Sequence, residues 1–286
     1  MIDQVNNNKE LFHVHFAVLL FGLSGLFAKW LSLSAYFIVL GRVFFAALFL
    51  LIVLHILNQS VKLPSTKEYL YFLILGAVLA IHWTSFFHSI QLSTVAVGLV
   101  TFATFPIFAS FLEPLFFKEK FQKINLLLAL LTFIGITFII PEISMTNSIT
   151  RGAMWGIVSA FTFAILSILN RAFVRQHSSI LIGFYQNLFA CLFLFPIIFF
   201  VQVSPTLKDI SLLLLLGVVF TGVAHVVFIQ GLTKINVQTA SIIASLEPVY
   251  GIIAAAIFLF EIPVFQEWIG ILIVLSVVVF SSMRKQ

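Results

Sequence analysis

The chain has 286 residues, 62% of them hydrophobic and only 9% charged, whereas a soluble domain carries about 25% charged residues. That balance places it in a bilayer, and its net charge of +5 is no nucleic-acid signal, because the lysines and arginines fall in short connections between apolar runs. A single cysteine, Cys191, excludes an internal disulfide and a cysteine-based metal cluster.

Apolar runs of roughly the 20 residues that a helix needs to cross the hydrocarbon core follow one another from end to end. They lie near 12–31, 35–57, 69–91, 94–117, 123–140, 151–173, 180–202, 210–233, 237–260 and 266–283. The leader MIDQVNNNKE precedes a run too long for a signal-peptide core and lacks a small-x-small cleavage site, so the first run is expected to be retained as a helix. Connections such as NQSVKLPSTKE and SPTLKD are short, and nothing reads as a soluble domain. The expected fold is an all-α integral membrane protein with ten transmembrane helices. Eleven lysines and arginines fall on the side of the N-terminus, against two (Arg151 and Lys208) on the other. This asymmetry predicts that both termini are cytoplasmic.

Polar residues inside the runs are the candidate site residues, because a charge in hydrocarbon is costly and usually has a use. In the first span His13 and His15 stand about 200° apart around a helix, so they make no metal pair. Arg42, in the outer half of the second span, reads as a structural ion pair or as a side chain snorkelling to the headgroups. His82 and Trp83 lie mid-span in the third. The histidine is a candidate proton-coupling group or a neutral, hydrogen-bonded one, and the tryptophan is an aromatic wall or a packing residue.

The fourth span, Val97–Glu119, carries Pro106 near its middle. A proline there frees a carbonyl one turn back and bends the rod, which marks it as a hinge. Glu113-Pro114 is a second expected interruption. Glu119 reads as a cap or as an ion-pair partner of Lys118, Lys120 or Lys123. On the sixth span Gly152, Gly156, Ala160 and Ala164 form an every-fourth-residue small stripe, expected to face the core. His88, Gln91, Asn170, Asn187 and Gln230 sit nearer span ends, where an interfacial position is expected. Gln230 is also kept as a candidate for solute contact.

His225 lies mid-span in the eighth run. The ninth holds Glu247, Pro248 and Tyr250 and ends at Glu261. Glu247 is either a contact for a solute amine, a protonatable gate, or a brace for the kink at Pro248. Tyr250 is a candidate wall, and Glu261 a cap or ion-pair residue.

The landmarks repeat. The prolines are 142 residues apart (248 − 106), as are Glu119 and Glu261, and Lys29 and Arg171. His82 and His225 miss the same offset by one. Two units of five spans each, an odd number, must cross the membrane in opposite senses. That is an inverted-topology repeat, and interrupted spans at matching places in its halves point to a transporter's binding site.

The residues LEPVYG…LFE, FPIF…KE, Arg42 in GRVFFAAL and the glycine-rich opening of the sixth span carry a resemblance. The chain is similar to the EamA-type, ten-helix members of the drug/metabolite transporter superfamily. The likeness runs over nearly all of it, with repeats at 12–140 and 151–283. It implies spans 1, 3, 4, 6, 8 and 9 around a central cavity, the others peripheral, in a bacterial inner membrane. It also implies export or exchange of small organic solutes, often amino acids or related metabolites.

No G-x-S-x-G elbow, H-E-x-x-H, phosphate-binding loop or pair of midspan aspartates is present, so an enzyme is not expected. Energy must then come from a solute or ion gradient rather than from ATP on this chain. A secondary carrier of an amino acid or related metabolite is the first expectation. Multidrug efflux comes second, and a non-transporting intramembrane enzyme or scaffold is the alternative of another class. The expected partners are a small solute and the lipid bilayer, with no cofactor, metal or nucleic acid; a homodimer stays open.

Overall fold

A computed structural model describes residues 2–117, 123–140, 144–174, 176–200, 203–235, 240, 243–244 and 246–283. Among the described residues all regular structure is helical. In chain order the helices are α1 (Ile2–Ser24), α2 (Phe27–Trp30), α3 (Ala35–Ile56), α4 (Thr66–Leu92), α5 (Val95–Phe102), α6 (Phe105–Phe117) and α7 (Ile124–Ile139). They continue as α8 (Ser148–Phe173), α9 (Ser179–Leu194), α10 (Leu207–Gly217), α11 (Ala224–Gly231), α12 (Glu247–Phe258) and α13 (Phe265–Met283). A 3-10 turn, Phe195–Phe199, extends α9, and a π-helical turn, Val218–Val223, joins α10 to α11. Seven stretches are long and apolar enough to cross a membrane, and three shorter apolar helices accompany them (within Ile124–Ile139, Glu247–Phe258 and Phe265–Met283).

Polar side chains set where several helices begin. Thr94 accepts the Val97 N–H at 3.2 Å, Asn147 the Ile149 N–H at 2.8 Å and Ser178 the Leu181 N–H at 3.3 Å. Thr206 and Asp209 form a reciprocal capping box on α10. Each satisfies a first-turn donor that hydrocarbon would otherwise leave bare.

Helix association in lipid rests on close packing rather than on a hydrophobic drive, and small residues make the closest crossings. A Cβ on Gly22 would lie 2.7 Å from the Glu247 carbonyl oxygen, and one on Gly251 2.9 Å from the Gly22 carbonyl oxygen, so α1 and α12 touch backbone to backbone. The stripe on α8 is buried throughout: Gly152 faces Ser89 and Ser93, Gly156 faces Thr101, and Ala160 and Ala164 are fully covered. Large apolar side chains such as Phe44, Leu126 and Phe133 are exposed on the outside of the bundle, the face that lipid would cover.

Packing partners come in matched pairs, each member five spans from its counterpart. Helix α4 packs on α8 and α1 on α11; α8 packs on α5 and α1 on α12; α4 packs on α9 and α10 on α3.

The fourth span breaks fully between α5 and α6, with Pro106 in the first turn of the new helix. There its missing N–H costs nothing, since a first-turn donor has no helical acceptor. The Thr104 hydroxyl donates to the Thr101 carbonyl at 2.7 Å, satisfying an acceptor at the break. Pro248 likewise occupies the first turn of α12. The second expected interruption does not occur: α6 runs unbroken through Pro114.

Candidate functional site

The buried polar residues of four helices meet in the interior. His82 and Trp83 come from α4, His225 from α11, Glu247 from the first residue of α12 and Arg42 from the middle of α3. All are closed to solvent, Arg42 at 0% exposure and Glu247 at 2%.

Arg42 departs most from expectation. It neither snorkels nor forms an ion pair within 4.0 Å among the described residues. Its guanidinium carbon lies 3.5 Å from the centroid of the Trp83 ring and 5.1 Å from that of Phe87. A desolvated cation over an indole face gains about 2 kcal/mol, which offsets part of the cost of burying the charge. The Arg42 Nε donates to Thr221 Oγ1 at 2.9 Å, and Nη2 makes a long contact of 3.4 Å with the Phe220 carbonyl. Helix α3 is therefore not peripheral, because its arginine reaches the centre. The negative charge of Glu247 acts on Arg42, and that of Arg42 acts on both His82 and His225.

His82 is held by α8, with Nδ1 3.0 Å from the Ser159 carbonyl oxygen. A carbonyl can only accept, so Nδ1 carries the proton and a neutral ring offers its Nε2 lone pair. That atom has no partner among the described residues, nor do Arg42 Nη1, Trp83 Nε1 and His225 Nε2. Buried polar atoms are usually paired, so four orphans in one neighbourhood point to a site built for something else. Aromatic rings close around them: His82 and Trp83 have centroids 4.6 Å apart, Trp83 and His225 5.5 Å, Phe21 and His225 5.3 Å, and His82 and Phe163 5.0 Å.

Other sequence candidates lie elsewhere. Gln230 accepts from the Ser179 hydroxyl at 3.0 Å at the start of α9. Tyr250 is half-buried against Gly22. Glu261 lies 3.7 Å from Lys29 and accepts the Val95 N–H at 2.9 Å. Glu119 lies outside the described residues. Asn170 and Asn187 are buried rather than interfacial, and the Asn170 side chain accepts from Gln186. Thr221 escaped sequence reasoning; the one signal for it is its place between Gly217 and Gly222 on the span that carries His225.

Comparison with known proteins follows this geometry. The profile of the EamA-like transporter family matches the chain twice, over residues 9–140 and 150–283. The chain belongs to the EamA-like transporter family. It is therefore a transporter rather than an enzyme, a multi-pass protein of the bacterial plasma membrane within the drug/metabolite transporter superfamily. An uncharacterized transporter of Bacillus subtilis (strain 168), YxxF, is 23% identical over 94% of this chain and 88% of its own length. An uncharacterized transporter of Archaeoglobus fulgidus is 30% identical over 57% of this chain and 58% of its own. The S-adenosylmethionine uptake transporter of Rickettsia bellii is 23% identical over 50% of this chain and 48% of its own. One solved crystal structure aligns over 96% of both chains with a TM-score of 0.71 at 14% identity, a likeness of fold alone.

Proposed function

We propose that this EamA-family protein is a secondary carrier that moves an amino acid or related metabolite by alternating access, in export or exchange. In this reading its ten spans form two inverted repeats of five, at 12–140 and 151–283, with both termini cytoplasmic. The observation that carries it is the closed cluster of Arg42, His82, Trp83, His225 and Glu247, whose polar atoms lack protein partners. Charged and polar groups kept inside a membrane bundle mark solute pathways. Breaks beside Pro106 and Pro248, at matching places in the two repeats, are the hinge candidates on either side of it. Glu247 and His82 Nε2 offer acceptors to an ammonium group, which suits a solute bearing an amine. The uptake transporter of Rickettsia bellii, whose solute includes an amino-acid moiety, is in keeping with this class.

Multidrug efflux is the second reading, favoured by the aromatic walls of Phe21, Phe163 and Phe228. Proteoliposomes loaded with a bacterial small-molecule extract separate the two readings. Loss of amino-group metabolites, followed by mass spectrometry against protein-free vesicles, is the expected result. Retention of all of them, together with release of a loaded hydrophobic dye, would replace metabolite transport with drug efflux.

A further inference from the structure

We propose that Arg42 is the specificity-determining residue of this carrier, and that it selects solutes through a carboxylate, with the π-helical turn Val218–Val223 positioning it. The inference rests on the carrier reading above and adds to it the anionic half of the solute.

A guanidinium has five N–H donors in a fixed fork. Arg42 uses Nε on Thr221 Oγ1, at 2.9 Å, and makes the long Nη2 contact with the Phe220 carbonyl. Nη1 is buried without a partner among the described residues. The partners it has are neutral, since Trp83 and Phe87 supply ring faces and the π turn supplies a hydroxyl and a carbonyl. A full positive charge thus stands in the interior with unspent donors, beside a second orphaned donor, Trp83 Nε1. A carboxylate matches a guanidinium fork with two parallel hydrogen bonds and one compensating charge. A doubly charged phosphate fits less well, because the nearby Glu247 would repel the second charge.

The π turn explains why Nη1 stays free. Widening the helix at Val218–Val223 lets the Thr221 hydroxyl donate five residues back, to the Leu216 carbonyl at 2.8 Å, and turns its oxygen toward Arg42. Glycines let this turn press on α3: a Cβ on Gly217 would lie 2.7 Å from the Arg42 carbonyl oxygen, and one on Gly222 2.8 Å from Phe49. Turns of this kind recur at functional sites. Thr221 anchors the arginine by Nε alone, so the tip of the fork is left for the solute. Thr221 is a positioning residue, and Arg42 is the one that touches the solute.

The test measures the thermal shift of the purified full chain in detergent. The probes are an equimolar mixture of the twenty L-amino acids, a mixture of short monocarboxylic acids, and the α-amides of the same amino acids. We expect both carboxylate mixtures, the amino acids more strongly, to stabilise wild type, and the amides to do nothing. Arg42→Lys should abolish the shift. Thr221→Val should raise the midpoint concentration at least tenfold, and Thr221→Ser should restore it. A merely structural threonine would change the starting melting temperature and leave the midpoint alone. If Arg42→Lys fails to fold, the Val and Ser variants carry the test. Amides that stabilise as well as amino acids, or a midpoint unmoved in Thr221→Val, would overturn the proposal. So would wild type that responds to no carboxylate yet releases extract metabolites from vesicles, in which case the carrier reading survives. Failure of that release as well sinks both.

Discussion

At the scale of single residues, Glu247 and Gly22 meet at one crossing and give opposite predictions. Glu247→Gln keeps shape and hydrogen-bonding atoms but removes the charge. In the carrier reading it should lower solute counterflow in liposomes at least tenfold with little change in melting temperature. Wild-type counterflow would remove Glu247 from the site. Gly22→Leu should instead destabilise the protein, by about 1–3 kcal/mol as overpacking does, because a Cβ there already meets the Glu247 carbonyl at 2.7 Å. Unchanged thermal stability would mean that α1 and α12 do not cross this closely. Glu247, His82 and His225 were legible in the sequence because a titratable residue amid apolar neighbours stands out. Arg42 stood out equally, yet its environment was not legible. Whether an arginine reaches outward or inward depends on the direction of its helix face, on a ring 41 residues away at Trp83, and on a π turn that no periodicity announces.

At the scale of elements, the two prolines of the fourth span look alike in sequence and sit in different physical settings. Pro106 starts α6, whereas Pro114 lies inside it. An interior proline costs a helix about 3 kcal/mol, and one in the first turn costs almost nothing. Pro114→Ala is therefore expected to raise the melting temperature, and Pro106→Ala to leave it nearly unchanged. Pro106→Ala restores an N–H through which α5 and α6 can fuse, so it should slow transport. Equal thermal shifts for the two variants, measured side by side, would contradict this assignment. The break at Pro106 was legible because proline lacks a donor. The continuity at Pro114 was not, since neighbouring packing decides whether a helix tolerates the ring.

At the scale of the whole molecule, two ion pairs join the repeats. Lys29, at the end of α2, lies 3.7 Å from Glu261 after α12, and Arg171, near the end of α8, lies 3.2 Å from Glu113 in α6. The basic partners are 142 residues apart, and each pair links one repeat to the other. The duplication was legible from such offsets, whereas the acidic partner of Arg171 was not, because Glu113 breaks the offset that Glu119 keeps. In the carrier reading the pairs latch opposite ends of the pathway and open alternately. With Cys191 replaced, a short bismaleimide across Lys29→Cys/Glu261→Cys, or across Glu113→Cys/Arg171→Cys, should halt transport, and the single cysteines should not. Full activity in either cross-linked form would show that this latch need not open. The most direct test of the central claim is the accessibility of the buried cluster itself. A single cysteine at Thr221, in a Cys191→Ser background in vesicles, should be labelled by a membrane-impermeant maleimide from each side in turn, with solute on the far side shifting the balance. Thr221 is fully buried in the closed structure, so labelling from both sides requires alternating access. Labelling from one side only, whatever solute is present, would contradict it.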